Sequence, residues 1–365
     1  MPPGNMTRRQ FTSWLAASAM LAGHRYASSA DAATTATGSQ YSPLTLRVAA
    51  IQMAPILGDA DANMRQAESL VRRAVQLGAQ WIVLPEFFTS AAAFHPDLLK
   101  AIHPLDGAPS KLLQRLASAS NVVVGGSFLA KRGQDVYNTF VLAFPDGSMV
   151  QHDKDLPTYW ENCYYVGGQD DGVLNTPAGP VGAALCWEFI RARTARRLTG
   201  KVRMVLGGST WWTLPDDVDP ASPLWALNLK MMREAIPRMA RMLGVPVVHA
   251  AHVGRFEGYF NPDIPDVPYN SSYLGEAMIV NAEGKVLGRR AKEEGAGVVV
   301  AEVTLPSTPL SREPIPDRFW IPEEMPQPWH ESWQRWFAKG GHYYKAVTQP
   351  YIRTGVINDY LPDFL

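Results

Sequence analysis

Three residues suited to attack, proton transfer and charge stabilisation each stand where a short apolar run stops: Glu86 after WIVLP, Lys154 in HDKDLP, and Cys186 after GAAL. A thiol must become a thiolate before it attacks a carbonyl or nitrile carbon, and a neighbouring carboxylate can accept its proton. An ammonium near the same point favours the thiolate and can hold the oxyanion of a tetrahedral intermediate. The backbone N–H of Trp187, directly after the thiol, offers a second oxyanion donor. The carboxylate would then hand its proton to the departing nitrogen, a poor leaving group without it, and later activate water. Singly, each residue has an ordinary reading. Glu86 would be a solvated loop charge, Lys154 a surface ion pair beside two aspartates, and Cys186 a small buried hydrophobe. Their occurrence together, each at a strand end, is what points to chemistry.

Other polar residues carry less. His249 and His252 are three apart on one strand, so they face opposite sides and make a poor metal pair. His152, two before Lys154, shares its face and reads as structural. No HExxH, CxxC or phosphate-loop pattern occurs, and no cofactor or metal is implied. Cys163 is the other cysteine, and the pair allows one bridge or two thiols; a bridge to Cys186 would disable a nucleophile.

Residues at strand ends need a frame that brings those ends together. TLRVAAIQM (45–53), WIVLPEF (81–87), NVVVGGSFLA (121–130), VGAALC (181–186), VRMVLGGS (202–209), VPVVHAAHVG (245–254) and GVVVAEVTL (297–305) predict strands. Between them, 59–79 places Met64, Ala67, Leu70, Val71, Ala74 and Val75 at helical spacing, from capping aspartates to Gly78. Residues 110–120, 191–199 and 223–244 predict further helices, the last kinked or divided by Pro237. Hairpins are expected over 136–155, turning on Pro-Asp-Gly, and over 276–291, turning on Asn281 to Gly284. The alternation predicts an α/β protein, and the hairpins predict a mixed sheet.

The chain of 365 residues is 46% hydrophobic, enough for a sizeable core in one large or two modest domains. Lys plus Arg and Asp plus Glu are equal at 34, so there is none of the basic excess expected of a nucleic-acid binder. Residues 1–33 read as a leader: Arg8-Arg9, then an apolar stretch among alanines, then Ala30-Asp31-Ala32 as a small-x-small cleavage site. The Thr-Arg-Arg-x-Phe opening resembles the twin-arginine export type, which predicts a periplasmic or secreted protein. Residues 34–44 read as a flexible lead-in, 45–305 as the main domain, and 306–365 as an arm rich in Pro and aromatics. No membrane span is expected in the mature chain. The arm reads either as a tail packed on its own domain or, more sharply, as a contact with a second subunit.

LPEFF (84–88), HDKDLPTYWE (152–161) and GAALCWEFIR (182–191), in that order, resemble the three signature segments of the nitrilase superfamily, the carbon–nitrogen hydrolases. The similarity extends over roughly 46–305. It implies a four-layer α-β-β-α sandwich that pairs into a homodimer or a higher homo-oligomer. It also implies Glu86, Lys154 and Cys186 as the catalytic residues, and Glu161 as an auxiliary carboxylate that positions the lysine and substrate. Nitrilases continue Cys-Trp-Glu-Asn; this chain shares Trp187 and Glu188 and then departs with Phe189-Ile190-Arg191. Tyr159, Trp160, Glu188, Trp211 and Trp212 are the pocket candidates. The resemblance favours hydrolysis of a small-molecule amide, with a nitrile as the alternative. Acyl transfer and a catalytically inactive periplasmic binding protein are the remaining rivals.

Overall fold

The computed structural model describes residues 41–259, 267–325 and 327–357. The expected leader and residues 34–40 of the lead-in lie outside the described residues.

Strand β1 (Leu44–Met53) shows how the layers arise. Successive side chains of a strand point to opposite faces. Leu46, Val48 and Ala50 enter one apolar cluster, and Ala49, Ile51 and Met53 enter another. Both faces are buried, which is why the strand reads as one continuous apolar run. The second cluster is capped by helices α1 (Ala60–Gln76) and α2 (Ala108–Ser120), through Ala67, Val71, Ala74, Leu113 and Leu116. Asp59 starts α1 by accepting from the Ala62 N–H at 3.0 Å, as the sequence pattern predicts.

The remaining strands are β2 (Trp81–Val83), β3 (His103–Pro104), β4 (Val123–Arg132), β5 (Asp135–Ala143), β6 (Met149–Asp153), β7 (Val173–Leu174), β8 (Val181–Leu185), β9 (Val205–Ser209), β10 (Val247–His252), β11 (Arg255–Tyr259), β12 (Pro268–Ser272), β13 (Ala277–Val280), β14 (Val286–Arg290) and β15 (Gly297–Leu305). Two halves can be traced. One runs β6-β5-β4-β2-β1 and closes with β15 antiparallel to β1. The other runs β7-β8-β9-β10 and continues through the hairpin β13-β14. They join where β1 meets β10 through Gln52 opposite Ala251 and Met53 opposite His252. So short a junction lets the halves splay into two layers, with Val48, Phe140, Leu185, Leu206, Val248 and Ile279 in the core between them. The outer face of the second half is covered by α3 (Ala192–Leu198) and α4 (Pro223–Leu243) through Leu198, Ile236, Met239 and Leu243. The result is the α-β-β-α sandwich, with mixed strand directions as the hairpins predict.

Helix α4 is one element and is not divided: Pro237 lies inside it and is buried. Proline removes one internal hydrogen bond, and here tertiary packing of the apolar face outweighs that loss. Among the described residues no helix is long and apolar enough to cross a membrane. The arm docks on its own chain. Helix α5 (Gln327–Tyr343) and the short α6 (Gln349–Thr354) follow the aromatic-rich loop, and Trp329, Trp333, Tyr343 and Tyr344 are all buried without a second subunit.

Candidate active site

The carboxyl ends of β2, β8, β9 and β10 converge at one edge of the splayed layers, and polar residues follow each apolar run there. After β2 the chain turns at Pro85, and Phe87 adopts a left-handed φ of 51°. That turn buries Glu86 completely. Its Oε1 accepts from Lys154 Nζ at 2.9 Å and from Asn138 Nδ2 at 2.9 Å. Its Oε2 accepts from the Thr210 N–H at 3.1 Å and the Thr210 hydroxyl at 2.7 Å. The Glu86 carbonyl accepts from His252 Nε2 at 2.7 Å. A buried carboxylate costs several kcal/mol unless its lone pairs are filled, and here four donors fill them.

Lys154, fully buried, also donates to Glu161 Oε2 at 2.7 Å. Burial works against its charge, but Glu161 and Glu86 more than offset it, and the ammonium is held on well above its ordinary pKa. Glu161 sits on a 3-10 turn, Tyr159–Cys163, where its Oε2 also accepts from the Thr158 N–H at 2.9 Å and from the Tyr165 hydroxyl at 2.5 Å. Burial raises its pKa and Lys154 pulls the other way, with a net rise.

Cys186 follows β8 directly, with a left-handed φ of 50°, and opens a 3-10 turn, Cys186–Ile190. A non-glycine residue held in that region is strained, and such strain collects at functional sites. Burial, with Glu86 next in weight, pushes the thiol pKa well above its ordinary value; Lys154 opposes this and is outweighed. The lysine does not by itself favour a resting thiolate, because its charge is offset by the two carboxylates it pairs with. No disulfide joins Cys186 to Cys163, which belongs to a different apolar cluster.

Cys186 lines a pocket of about 770 Å³, open mouth included. Tyr159, Trp160, Trp187, Trp211 and Trp212 line it, as do Phe256, Tyr259 and Tyr269 from the hairpin β11-β12 and Trp329 and Trp336 from α5. Ten of its fifteen lining residues are aromatic, so the walls offer apolar faces far more than hydrogen bonds.

Glu188 is placed elsewhere than expected. It does not line the pocket but is buried, with its carboxylate turned back on the Cys186–Ile190 turn. Its Oε2 accepts from the Leu185 N–H at 2.8 Å, and its Oε1 accepts from the Asp155 N–H at 3.1 Å and from Arg197 at 3.2 Å. His152 Nε2 lies 3.1 Å from the same carboxylate, while Nδ1 bonds Asp170. A carboxylate three residues after the last strand residue, in capping position, was the signal for this role. Asn138 and Thr210 were missed altogether. Each is a polar residue within or just after an apolar run, and a buried polar group there must find a partner.

A carbon–nitrogen hydrolase family model matches residues 47–313. N-carbamoylputrescine amidase from Solanum lycopersicum is 32% identical over 274 residues, 71% of this chain and 86% of that enzyme. Nitrilase 3 from Arabidopsis thaliana is 30% identical over 167 residues, 40% of this chain; this chain thus spans about half of that relative, 48% of its length. A carbon–nitrogen hydrolase structure from Helicobacter pylori G27 superposes with a TM-score of 0.61, covering 71% of this chain and 89% of that one at 17% identity, a likeness of fold.

Proposed function

The chain belongs to the carbon–nitrogen hydrolase family, and from that premise we propose that it hydrolyses a non-peptide carbon–nitrogen bond, an amide first of all, through a thioester on Cys186. The observation that carries this reading is Cys186 in the pocket lining, within the field of Glu86 and Lys154, which pair with each other at 2.9 Å. Glu86 takes the thiol proton as Sγ attacks the carbonyl carbon. The oxyanion is held by the Lys154 ammonium and the Trp187 N–H, an N–H in the first turn of its helix with no intrahelical acceptor. Glu86 returns the proton to the nitrogen as the C–N bond breaks, releasing ammonia or an amine. Water, deprotonated by Glu86, then cleaves the thioester to a carboxylate and the free thiol. Glu161 orients the ammonium throughout.

Nitrile hydrolysis is the second reading. It is favoured by Trp187 and Glu188, which follow the cysteine as they do in nitrilases, and by the nitrilases among the relatives. The test is ammonia release from matched amides and nitriles, for wild type beside Cys186→Ala. Release that vanishes with Cys186→Ala is expected; release that survives it, or none at all from a folded wild type, overturns the proposal. The Arg8-Arg9 leader supports export, to be checked by cell fractionation of wild type against an Arg8→Lys, Arg9→Lys double variant.

A further inference from the structure

The family match ends at residue 313, and the chain then adds a helix that helps to build the pocket. Trp336 of α5 packs 4.9 Å from Tyr159, and Tyr159 packs 4.8 Å from Trp187, the neighbour of Cys186. A run of ring contacts therefore reaches from the arm to the nucleophile. The arm is fastened at Trp333, whose indole N–H donates to the Pro157 carbonyl at 2.9 Å and whose ring lies 5.5 Å from the guanidinium of buried Arg191. Arg191 ends the segment where the sequence leaves the nitrilase pattern, so that departure and the added helix meet in one contact.

Apart from Glu86 and Lys154, which act at Cys186 and pair with each other at 2.9 Å, the pocket walls carry no charged side chain among the described residues. Several of its polar groups are already occupied: the Asn228 amide oxygen accepts from Trp211 Nε1 at 2.8 Å, its nitrogen donates to the Trp212 carbonyl at 3.1 Å, and the Thr213 hydroxyl pairs with Ser271 at 2.7 Å, whereas the buried Trp329 indole N–H has no acceptor. A carboxylate or ammonium on the substrate would lose its water here with no partner of opposite charge, whereas an aromatic ring would gain offset and edge contacts on several sides.

We infer that the arm is a specificity element, and that the site selects amides or nitriles whose acyl group carries an uncharged aryl or arylalkyl substituent. This rests on the reading of Cys186 as the nucleophile. The acyl group is the part that remains bound as the thioester, so it is the part the aromatic walls sort.

The test compares kcat/KM of the full chain for phenylacetamide, propionamide, succinamate and 4-aminobutanamide, with the matching nitriles alongside. Phenylacetamide or its nitrile should exceed the aliphatic compound by about tenfold or more, the scale of burying one ring. Trp336→Ala and Trp333→Ala should each lower that aromatic-to-aliphatic ratio at least about fivefold, with thermal melting of each variant as the check on folding. A preference for the acid, the ammonium or the short aliphatic compound would overturn the inference while leaving the hydrolase intact. So would an unchanged ratio in both folded variants. Should nothing be turned over, calorimetric binding to Cys186→Ala decides separately. Tighter binding of phenylacetamide than of the other three upholds the aromatic pocket as the hydrolase proposal fails, and equal or weaker binding overturns the pocket inference as well.

Discussion

Replacing Glu188 by Gln should disturb the protein in a manner that depends on pH, because Glu188 shares a buried charge pair with His152. Burial alone would strip His152 of its proton, but Glu188 and then Asp170 reverse that and raise its pKa from 6.5 to about 9. A folded-state pKa above the unfolded one contributes stability that is fully present below pH 6.5 and is lost as pH rises through 9. At about 1.4 kcal/mol per unit, the shift amounts to roughly 3 kcal/mol. Wild type should therefore lose about that much unfolding free energy between pH 6.5 and 9. Glu188→Gln can still accept from the Leu185 N–H, but it removes the largest favourable influence on the imidazolium. At pH 6.5 the variant should be less stable by about 3 kcal/mol, the cost of removing one partner from a buried ion pair. Its decline toward pH 9 should be shallower than that of wild type. Denaturant unfolding across pH measures both, and the imidazole proton resonances of His152 report its titration directly. A wild-type His152 that titrates at or below 6.5, or equal slopes in the two proteins, would refute the reasoning.

Three other expectations concern the same region. His249 and His252 are held neutral by burial, with pKa values lowered to about 4. The unfolded chain then binds more protons between pH 4 and 6.5, so stability should climb across that window, and His249→Gln should flatten the climb; a flat wild-type curve there would contradict it. Thr210→Val keeps the backbone donor to Glu86 but removes the hydroxyl at 2.7 Å, and kcat should fall about tenfold or more in a folded protein. An unaltered kcat would mean that this hydroxyl does not help to hold the carboxylate. Gly340 of α5 lies against Asn162, and a Cβ there would stand 1.9 Å from its Oδ1. Gly340→Val should loosen the arm, read as faster amide hydrogen exchange in 327–343 with protection in β8 and β9 unchanged; equal protection in α5 would show that the helix adapts.

The strands and main helices follow from apolar periodicity because both faces of each central strand are buried. α4 is a partial exception, since Pro237 argues for a kink or a division, and packing keeps the helix undivided. Glu86, Lys154 and Cys186 could be named as candidates because reactive residue types recur at strand ends, and Glu161 only through the resemblance of 152–161 to a family signature segment. Their hydrogen-bonding company could not, since Asn138, Thr210 and His252 reach Glu86 only after distant strands are laid side by side. Glu188 was misplaced for a related reason. Proximity along the chain to Cys186, which lines the pocket, does not say which way the next turn aims a side chain. The arm's aromatics were visible as a composition. That they would be covered at home depended on Arg191 and on the close approach at Gly340, neither of which has a periodic signature.

The narrow junction between β1 and β10 has a consequence for how this protein can vary. Glu86 and Lys154 follow strands of one half, while Cys186 and Thr210 follow strands of the other. The Thr210 bonds to the Glu86 carboxylate, and the His252 bond to its carbonyl, cross the seam. The reactive geometry is therefore a property of how two surfaces abut, and neither half owns it. A graft of either half onto a foreign partner would inherit the residues but lose the spacing. Drift in one half is tolerable only when the other drifts to match, so the two sets of strands are bound to change as one lineage.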